Sequence, residues 1–180
     1  MNPLVKKYGI KYGGIAISVG ILYFLIAYIF NEQLFANWWM GILLLIFNFV
    51  MMVMAVVAMK KEQGGFISYK EAVSVFSFSY IVVAIINLVF SLLMFHVVDP
   101  GLADRVMEIS IEMAVSMSER FGAPEEQIQA QIDQMKEADT YGVYGLFKTA
   151  MWGIIIYTVL GLIVAAFMKK DKPVFENTVD

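Results

Sequence analysis

The sequence predicts an all-α integral membrane protein, with four transmembrane helices and an extracytoplasmic helical hairpin between the third and the fourth. Three observations support this fold class. Apolar residues make up 60% of the chain and charged residues 16%, which is far from the usage of soluble domains. The mean hydropathy is +0.72. The apolar residues also fall in four long segments, which is typical of membrane spans.

Each of these segments is long enough to cross a bilayer. A hydrocarbon core of about 30 Å needs about 20 helical residues at a rise of about 1.5 Å each. Trp38–Met59 has 22 residues and no charge, and Ala72–Val98 has 27 residues without an acid, Lys or Arg. The predicted spans are residues 13–30, 38–59, 69–98 and 149–168, within a single membrane domain of residues 1–180.

The N-terminus allows two interpretations. Lys6, Lys7 and Lys11 precede the apolar run Gly13–Phe30, and a secretory signal peptide has the same basic-then-apolar order. However, the run is 18 residues long and rich in Tyr, Phe and Ile, and no small-x-small cleavage site precedes the next span. A first transmembrane helix that stays in place is therefore favoured over a cleaved signal.

The connection between the first two spans is very short. Only Asn31–Asn37 separate them, so the two helices are expected to be antiparallel neighbours. Trp38 and Trp39 open the second span. Paired tryptophans at a helix end are typical of the aromatic belt, in which amphipathic rings lie at the level of the lipid headgroups.

A polar turn, residues 60–71, joins the second and third spans. Within it Ser68 and Glu71 have the spacing of a capping box, in which each side chain hydrogen-bonds the backbone N–H of the other residue. The third helix is therefore expected to begin at Ser68. Gly64 and Gly65 can supply the positive φ angles that a tight turn needs.

Residues 99–148 form the only sizeable polar segment, after the stop and turn Asp99-Pro100-Gly101. Apolar and polar residues alternate strictly from Met107 to Met117, which is typical of a strand. A helix is favoured instead, because the segment is rich in Met, Glu and Ala and a helical arrangement separates charged from apolar residues. The charged side comprises Arg105, Glu108, Glu112 and Glu119, and the apolar side Leu102, Val106, Ile109, Met113 and Met117.

A second helix of this insert is expected to follow. Gly122 suits the end of the first helix and Pro124 the first turn of the next, in which Glu125 and Glu126 complement the helix dipole. This second helix is expected to end near residues 141–142. Its narrow apolar stripe comprises Ile128, Ile132 and Met135.

The distribution of basic residues predicts the orientation. Nine lysines lie in the N-terminus, the 60–71 turn and the C-terminal end, whereas residues 99–148 hold four basic and ten acidic residues, a net charge of −6. By the positive-inside rule both termini are cytoplasmic and the 99–148 hairpin is extracytoplasmic. Residues 171–180 are expected to be a short, disordered cytoplasmic tail.

The 60–71 turn also carries a resemblance. Its motif Gly65-Phe66-Ile67-Ser68-Tyr69-Lys70-Glu71-Ala72, between the second and third of four spans, resembles a family of small bacterial inner-membrane proteins. That family is common in Bacteroidetes-type bacteria and is known only as a domain of unknown function. The step Gly122-Ala123-Pro124-Glu125-Glu126 extends the similarity over essentially the whole chain. The resemblance implies a four-helix membrane fold and no activity, substrate or catalytic residue.

Three polar residues of the spans have two interpretations each. Asn48 and Asn87 lie in mid-span, where they could line a substrate or ion path or form interhelical hydrogen bonds worth about 0.6–2 kcal/mol. The hydrogen bonds are favoured, since no acidic or basic residue lies at that depth. His96, near Asp99, could sense pH or bind a metal. A single His without Cys makes a poor metal site, so an interface histidine is favoured.

Glycines and methionines form two further patterns. Glycines in the first and last spans favour close helix contact. Methionines of the insert could form an adaptable binding surface, although the hairpin's own core is the favoured interpretation. The glycines are Gly9, Gly13, Gly14, Gly20, Gly153 and Gly161, and the methionines are Met107, Met113, Met117 and Met135.

Few chemistries fit this composition. The chain has no Cys and a single His, and it contains no phosphate loop, dinucleotide motif, nucleophile elbow or basic–aromatic surface suited to nucleic acid. We therefore expect no enzyme, no catalytic residue, no cofactor, no metal and no identifiable small-molecule ligand.

The leading hypothesis is a structural or accessory subunit of a membrane complex, surrounded by the lipid bilayer and bound to itself or to another membrane protein. The hairpin and the lysine-bearing turn would be its contact surfaces. The capping box has two interpretations: it could present Tyr69 and Lys70 to a cytoplasmic partner, or it could only start the third helix. The alternative is a small oligomeric transporter or channel. A third option is an enzyme of, or accessory to, lipid-linked substrate metabolism, for which only the 60–71 turn offers charged groups.

Overall fold

A computed structural model describes residues 2–171 of the chain, and within this range it contains six α-helices and no strand. The tail expected at residues 171–180 lies, from residue 172 on, outside the described residues. A short 3-10 helix, Glu32–Ala36, follows the first α-helix, and a π-helical segment, Met94–Val98, follows the third. The α-helices are α1 Pro3–Phe30, α2 Trp38–Glu62, α3 Tyr69–Leu93, α4 Leu102–Arg120, α5 Glu125–Glu137 and α6 Val143–Met168.

Four of these helices are long and apolar enough to cross a membrane. They are α1, α2, α3 with its π-helical continuation, and α6, with hydropathies between 2.2 and 2.8 over their most apolar windows. Four long apolar helices were predicted from the sequence, and the structure confirms them. The alternating segment at 106–118 is helical as expected, since it lies inside α4.

The helices that contain the first and last predicted spans begin before those spans. α1 starts at Pro3, ten residues before the predicted boundary, because Pro suits the first helical position and the Asn2 side chain accepts a hydrogen bond from the Leu4 N–H at 3.0 Å. Its first turns are also packed, since Val5 is buried. α6 starts at Val143, six residues early, and Leu146 in its first turn packs against buried residues.

The chain divides into two compact units, and each long helix contributes to both. Among the described residues, the first unit contains Leu45–Ile86, residues 2–18 and residues 151–171. The second unit contains Val19–Leu44 and Asn87–Ala150. The α2–α3 turn therefore belongs to the first unit, together with the start of α1 and the end of α6. The α4–α5 insert belongs to the second.

The core of the first unit is built from large side chains and close glycine contacts. Phe76, Met52 and Met59 are fully buried. A Cβ atom added at Gly13 would lie 2.5 Å from the carbonyl oxygen of Ser79, and Gly161 lies similarly close to the Phe76 ring. The predicted close contacts are therefore present at Gly13 and Gly161.

The other glycines of that prediction divide. Gly9 packs against the Phe78 ring and Gly153 against the Tyr80 hydroxyl, as predicted. The prediction is wrong for Gly14, because nothing lies within 4 Å of a Cβ added there. Tyr80, beside Gly153, stacks on Tyr157 with ring centroids 3.7 Å apart.

The core of the second unit is aromatic. The Phe24 ring meets three other rings edge-on, those of Phe35, Phe90 and Phe95, with centroids 4.9–5.9 Å apart. Leu102 and Val106 of α4 complete this core and are almost wholly buried. The first two turns of α4 are thereby fixed to the ends of α1 and α3.

The insert differs from its prediction at one end. α4 ends at Arg120 and Gly122 adopts a φ of +71°, as its position suggested. Pro124 precedes α5 as its N-terminal cap, and α5 ends at Glu137 rather than near residues 141–142. The helix stops early because Tyr141 turns back onto the second core, with its ring centroid 5.0 Å from that of Phe95.

Candidate functional site

The motif at the α2–α3 turn is organised around the carboxylate of Glu71. Oε2 accepts from the Ser68 backbone N–H at 3.2 Å and from the Ser68 hydroxyl at 2.8 Å, and that hydroxyl accepts from the Glu71 N–H at 3.3 Å. Oε1 accepts from the amides of Asn2 at 2.9 Å and Gln63 at 3.1 Å. The capping box is thus present, and it extends to the N-terminus and the end of α2. We call Asn2, Gln63, Ser68 and Glu71 the turn cluster.

A second carboxylate beside the turn cluster is also engaged. Glu62 at the end of α2 receives the ammonium of Lys7 at 2.9 Å and the hydroxyl of Tyr8. This pair is well exposed, so its contribution to stability is small. Lys60 donates to the Met168 carbonyl at 2.7 Å, which links the end of α2 to the end of α6.

The motif residues divide between the interior and the surface. Ile67 is buried, and its backbone N–H and C=O both bond Lys170 at 2.9 Å, forming a two-residue antiparallel bridge. Phe66 lies beneath the Lys170 ammonium at 5.3 Å. Tyr69 and Lys70 point outward, although the Tyr69 hydroxyl donates to the Leu162 carbonyl at 3.3 Å. Gly64 and Gly65 adopt φ angles of +73° and +90°.

The hydrogen bonds of this site join separate parts of the chain. The carboxylates of Glu71 and Glu62 accept from neighbouring donors, which belong to the residue before α1, to the start of α1 and to the turn. The turn cluster thus holds three parts of the chain together.

A second polar site, in the other unit, was not predicted. Arg105 of α4 donates through Nε at 3.0 Å and Nη2 at 2.8 Å to the Glu32 carboxylate, and through Nη2 at 2.7 Å to Asp99. The Tyr28 hydroxyl donates to Asp99 at 3.3 Å. We call Tyr28, Glu32, Asp99 and Arg105 the Arg105 cluster. It joins α4 to the connection between α1 and α2 and to the end of α3.

The charges of the Arg105 cluster support one another. Hydrogen bonding from Arg105 holds the pKa of Glu32 below its ordinary value of 4.5 and that of Asp99 below 3.8. The two carboxylates in turn raise the pKa of the guanidinium. All three side chains therefore stay ionised over the whole neutral range.

The sequence placed Arg105 on the charged side of an amphipathic helix and offered no partner for it. Its spacing from Asp99, six residues earlier, was the available signal for that pair. Glu32 is seventy-three positions away and lies in a 3-10 helix that no pattern indicated.

The remaining predicted residues are not members of the turn cluster or the Arg105 cluster. Asn48 is half-buried in α2 and Asn87 is exposed on α3, and the two belong to different units. The interhelical hydrogen bonds proposed for them stay predictions. His96 is exposed in the π-helical segment beside an apolar groove of about 370 Å³, lined with Leu93 and Val97 among others. Within residues 2–171 no group of three acidic or His side chains is placed to hold a metal.

The methionines of the insert separate into two pairs. Met107 and Met135 line a groove of about 360 Å³ between α4 and α5, where Ser118 also donates to Gln131 at 3.0 Å. Met113 and Met117 are exposed. The prediction of a hairpin core thus describes the first pair and not the second.

Comparison with known proteins yields one match. No curated protein and no solved structure is similar to the chain. One family model, described as "Protein of unknown function (DUF4199)", matches residues 11–170, which include the turn cluster apart from Asn2 and the whole Arg105 cluster. The chain therefore belongs to the DUF4199 family of proteins of unknown function.

Proposed function

We propose that this chain is a multi-pass protein of the bacterial inner membrane that acts as a non-enzymatic structural or accessory subunit of a membrane complex. The proposal rests on one observation, the hydrogen-bond partners of the charged groups near the ends of the spans. In the turn cluster and the Arg105 cluster, acids meet donors of the same chain. Such clusters stabilise a scaffold, because their acids are occupied by donors of the same chain.

The orientation follows from the lysines. Hydrogen bonds join the lysine-rich segments to one another. Asn2 bonds to Glu71 and Lys7 to Glu62, so the start of the chain lies at the α2–α3 turn. Lys60 bonds to the Met168 carbonyl and Lys170 to Ile67, so the end of α6 shares the same end of the spans. Positive charge is retained on the cytoplasmic side of a bilayer. We place both termini and the turn cluster in the cytoplasm and the insert outside.

The surface available to a partner is the acidic side of the insert. Asp104, Glu108 and Glu112 stand one turn apart along α4 and are exposed, and Lys136 of α5 is near them around a shallow cavity of about 470 Å³. These carboxylates have no role in the Arg105 cluster. A partner with a basic extracytoplasmic surface would be complementary to them.

Affinity purification of the tagged protein from its native membrane, in mild detergent, tests this proposal. We expect a stoichiometric partner by mass spectrometry and a matching size by gel filtration. The double variant Glu108→Gln, Glu112→Gln should lose the partner at moderate salt, whereas Glu126→Gln at the start of α5 should keep it. Recovery of the chain alone, at the size of one copy in detergent, would contradict the proposal.

One observation favours the runner-up, a small oligomeric transporter or channel. Asn87 is exposed, yet Ser91, four residues further along the same side of α3, and Met94, at the start of the π-helical continuation, are buried. An exposed amide side chain in the middle of a membrane span is uncommon unless it faces water or a polar solute.

Thiol labelling distinguishes the two functions. Because the chain has no Cys, an Asn87→Cys variant carries a single thiol. A membrane-impermeant reagent should label it in intact vesicles if a water path reaches mid-span. Val89→Cys, two residues on and exposed on another side of α3, is the matched control and should stay unlabelled. Silence at both positions would dismiss the transporter.

A further inference from the structure

The apolar side of α4 is buried in the first half of the helix and exposed in the second half. Leu102 and Val106, in the first two turns, are 0% and 2% exposed. Met113 and Met117, on the same side about two to four turns later, are 37% and 36% exposed, and Phe121 directly after the helix is 84% exposed. Since residues three and four apart share a helix side, these residues continue the packed side but are far less buried than Leu102 and Val106.

The packed half shows which way this side points. Leu102 and Val106 belong to a buried cluster against which Phe24 and Tyr28 of α1 and Phe90 of α3 pack, all in the last third of their helices. The apolar side of α4 is therefore directed at the span ends, which, on the proposed function, is towards the bilayer. A straight helix keeps that direction for its remaining turns.

The rest of the insert does not cover the exposed half. α5 approaches α4 along a different side, where Ser118 meets Gln131 and Met107 lines a groove with Met135. The carboxylates of Glu108 and Glu112 lie on the solvent-exposed surface of α4, away from Met113. α4 thus presents acids to water and methionines in the direction of the spans.

The level of the membrane surface is marked nearby. Trp38 and Trp39 stack at the start of α2, with centroids 4.2 Å apart, and both rings are exposed. They follow directly on the 3-10 helix whose Glu32 is bound by Arg105. Exposed tryptophans at a span end lie at the lipid headgroups, so α4 is attached to the connection at that level.

We propose that the second half of α4 lies in the membrane–water interface on the extracytoplasmic side of the bilayer, with Met113, Met117 and Phe121 inserted among the lipids. The occupant of this apolar side is lipid and not a second copy of the chain, because the side points to the bilayer and a protein would have to lie between α4 and the headgroups. Amphipathic interfacial helices bury their apolar side roughly 5–10 Å into this boundary. The inference rests on the proposed membrane location.

Spin labels in the full-length chain test this inference. We would attach a nitroxide to Met117→Cys and, as matched control, to Glu119→Cys, two residues on at an exposed position on the charged side of α4. In liposomes, relaxation by oxygen, which concentrates among acyl chains, is compared with relaxation by a water-soluble nickel chelate. We expect the oxygen-to-nickel ratio to be several-fold higher at position 117 than at 119.

Equal ratios at both positions would overturn the inference, since position 117 would then be in water. Protection of position 117 from both reagents would also overturn it and would assign the surface to a protein. Ile46→Cys, exposed within α2, reports on the membrane location itself. If Ile46 reads as lipid-exposed and position 117 does not, only the inference fails. If Ile46 reads as water-exposed, the proposed function fails.

Discussion

Arg105 and Glu32, seventy-three positions apart, form a two-pronged ion pair in which Nε and Nη2 of the guanidinium meet the two carboxylate oxygens at 2.8–3.1 Å. Asp99 occupies the remaining face of the same guanidinium. One side chain on α4 thus fixes the insert to two different connections. The planar fork of Arg is suited to this arrangement, whereas the ammonium of Lys is not.

We expect Arg105→Gln to loosen α4 from the ends of the spans, because Glu32 and Asp99 lose their shared donor. Hydrogen exchange by mass spectrometry in detergent should show faster exchange in residues 102–110, with little change in α5. Arg105→Lys should restore this only in part. Arg120→Gln, exposed at the other end of α4, is the control. Unchanged exchange in Arg105→Gln would mean that Leu102 and Val106 alone hold the helix.

The same cluster predicts a pH dependence. The pKa values of Glu32 and Asp99 are lowered by Arg105, so both carboxylates stabilise the folded state above their ordinary values of 4.5 and 3.8. This contribution is lost as the pH falls through that region and below it. The protection of α4, which is the intrinsic exchange rate of unstructured amides relative to its own exchange rate at the same pH, should therefore decrease between about pH 5 and pH 3 in the native chain. In Arg105→Gln this loss of protection should be weaker, and an identical pH profile would refute the assignment.

The capping box predicts a modest change of stability. Ser68→Ala removes the acceptor of the Glu71 N–H and one donor to its carboxylate, and loss of an N-terminal cap costs about 1 kcal/mol. Thermal unfolding in detergent should shift downward accordingly. Ser68→Thr keeps the hydroxyl and should retain most of the stability. A Ser68→Ala variant as stable as the parent would show that the other donors of the turn cluster suffice.

Neighbouring glycines of α1 provide a matched pair. Gly13→Ala places a methyl group 2.5 Å from the carbonyl oxygen of Ser79, which belongs to the backbone and cannot turn away. Such overpacking costs about 1–3 kcal/mol. Gly14→Ala meets nothing within 4 Å and should be neutral, or more stable by up to about 1 kcal/mol from helix propensity. Equal stability of the two variants would contradict the packing of α1 against α3.

Local patterns predicted the elements of this fold well. Four spans follow from apolar runs, and the positive φ of Gly64 and Gly65 follows from residue type. Helix ends were less accessible, since the early start of α1 depends on Pro3 and on the packing of Val5, and the early end of α5 depends on Tyr141. Hydropathy measures where a helix becomes apolar, whereas packing decides where it begins.

The two polar clusters were only partly accessible. Ser68 and Glu71 are three positions apart, so their pairing could be predicted from spacing. Asn2 and Glu32, sixty-nine and seventy-three positions from their partners, could not, because a polar side chain in a single sequence carries no record of a distant partner. The methionines failed differently: Met107 and Met113 share a helix and a residue type, and only the position of α5 separates the groove from the exposed side.

The bridge between Ile67 and Lys170 has a consequence for biosynthesis. The turn is translated long before residue 170, so the N–H and C=O of Ile67 must wait for α6 to leave the ribosome and enter the membrane. Until then the N–H and C=O of Ile67 lack this partner. Closure of the bridge therefore requires that α6 has been synthesised, and chains truncated before α6 cannot form it.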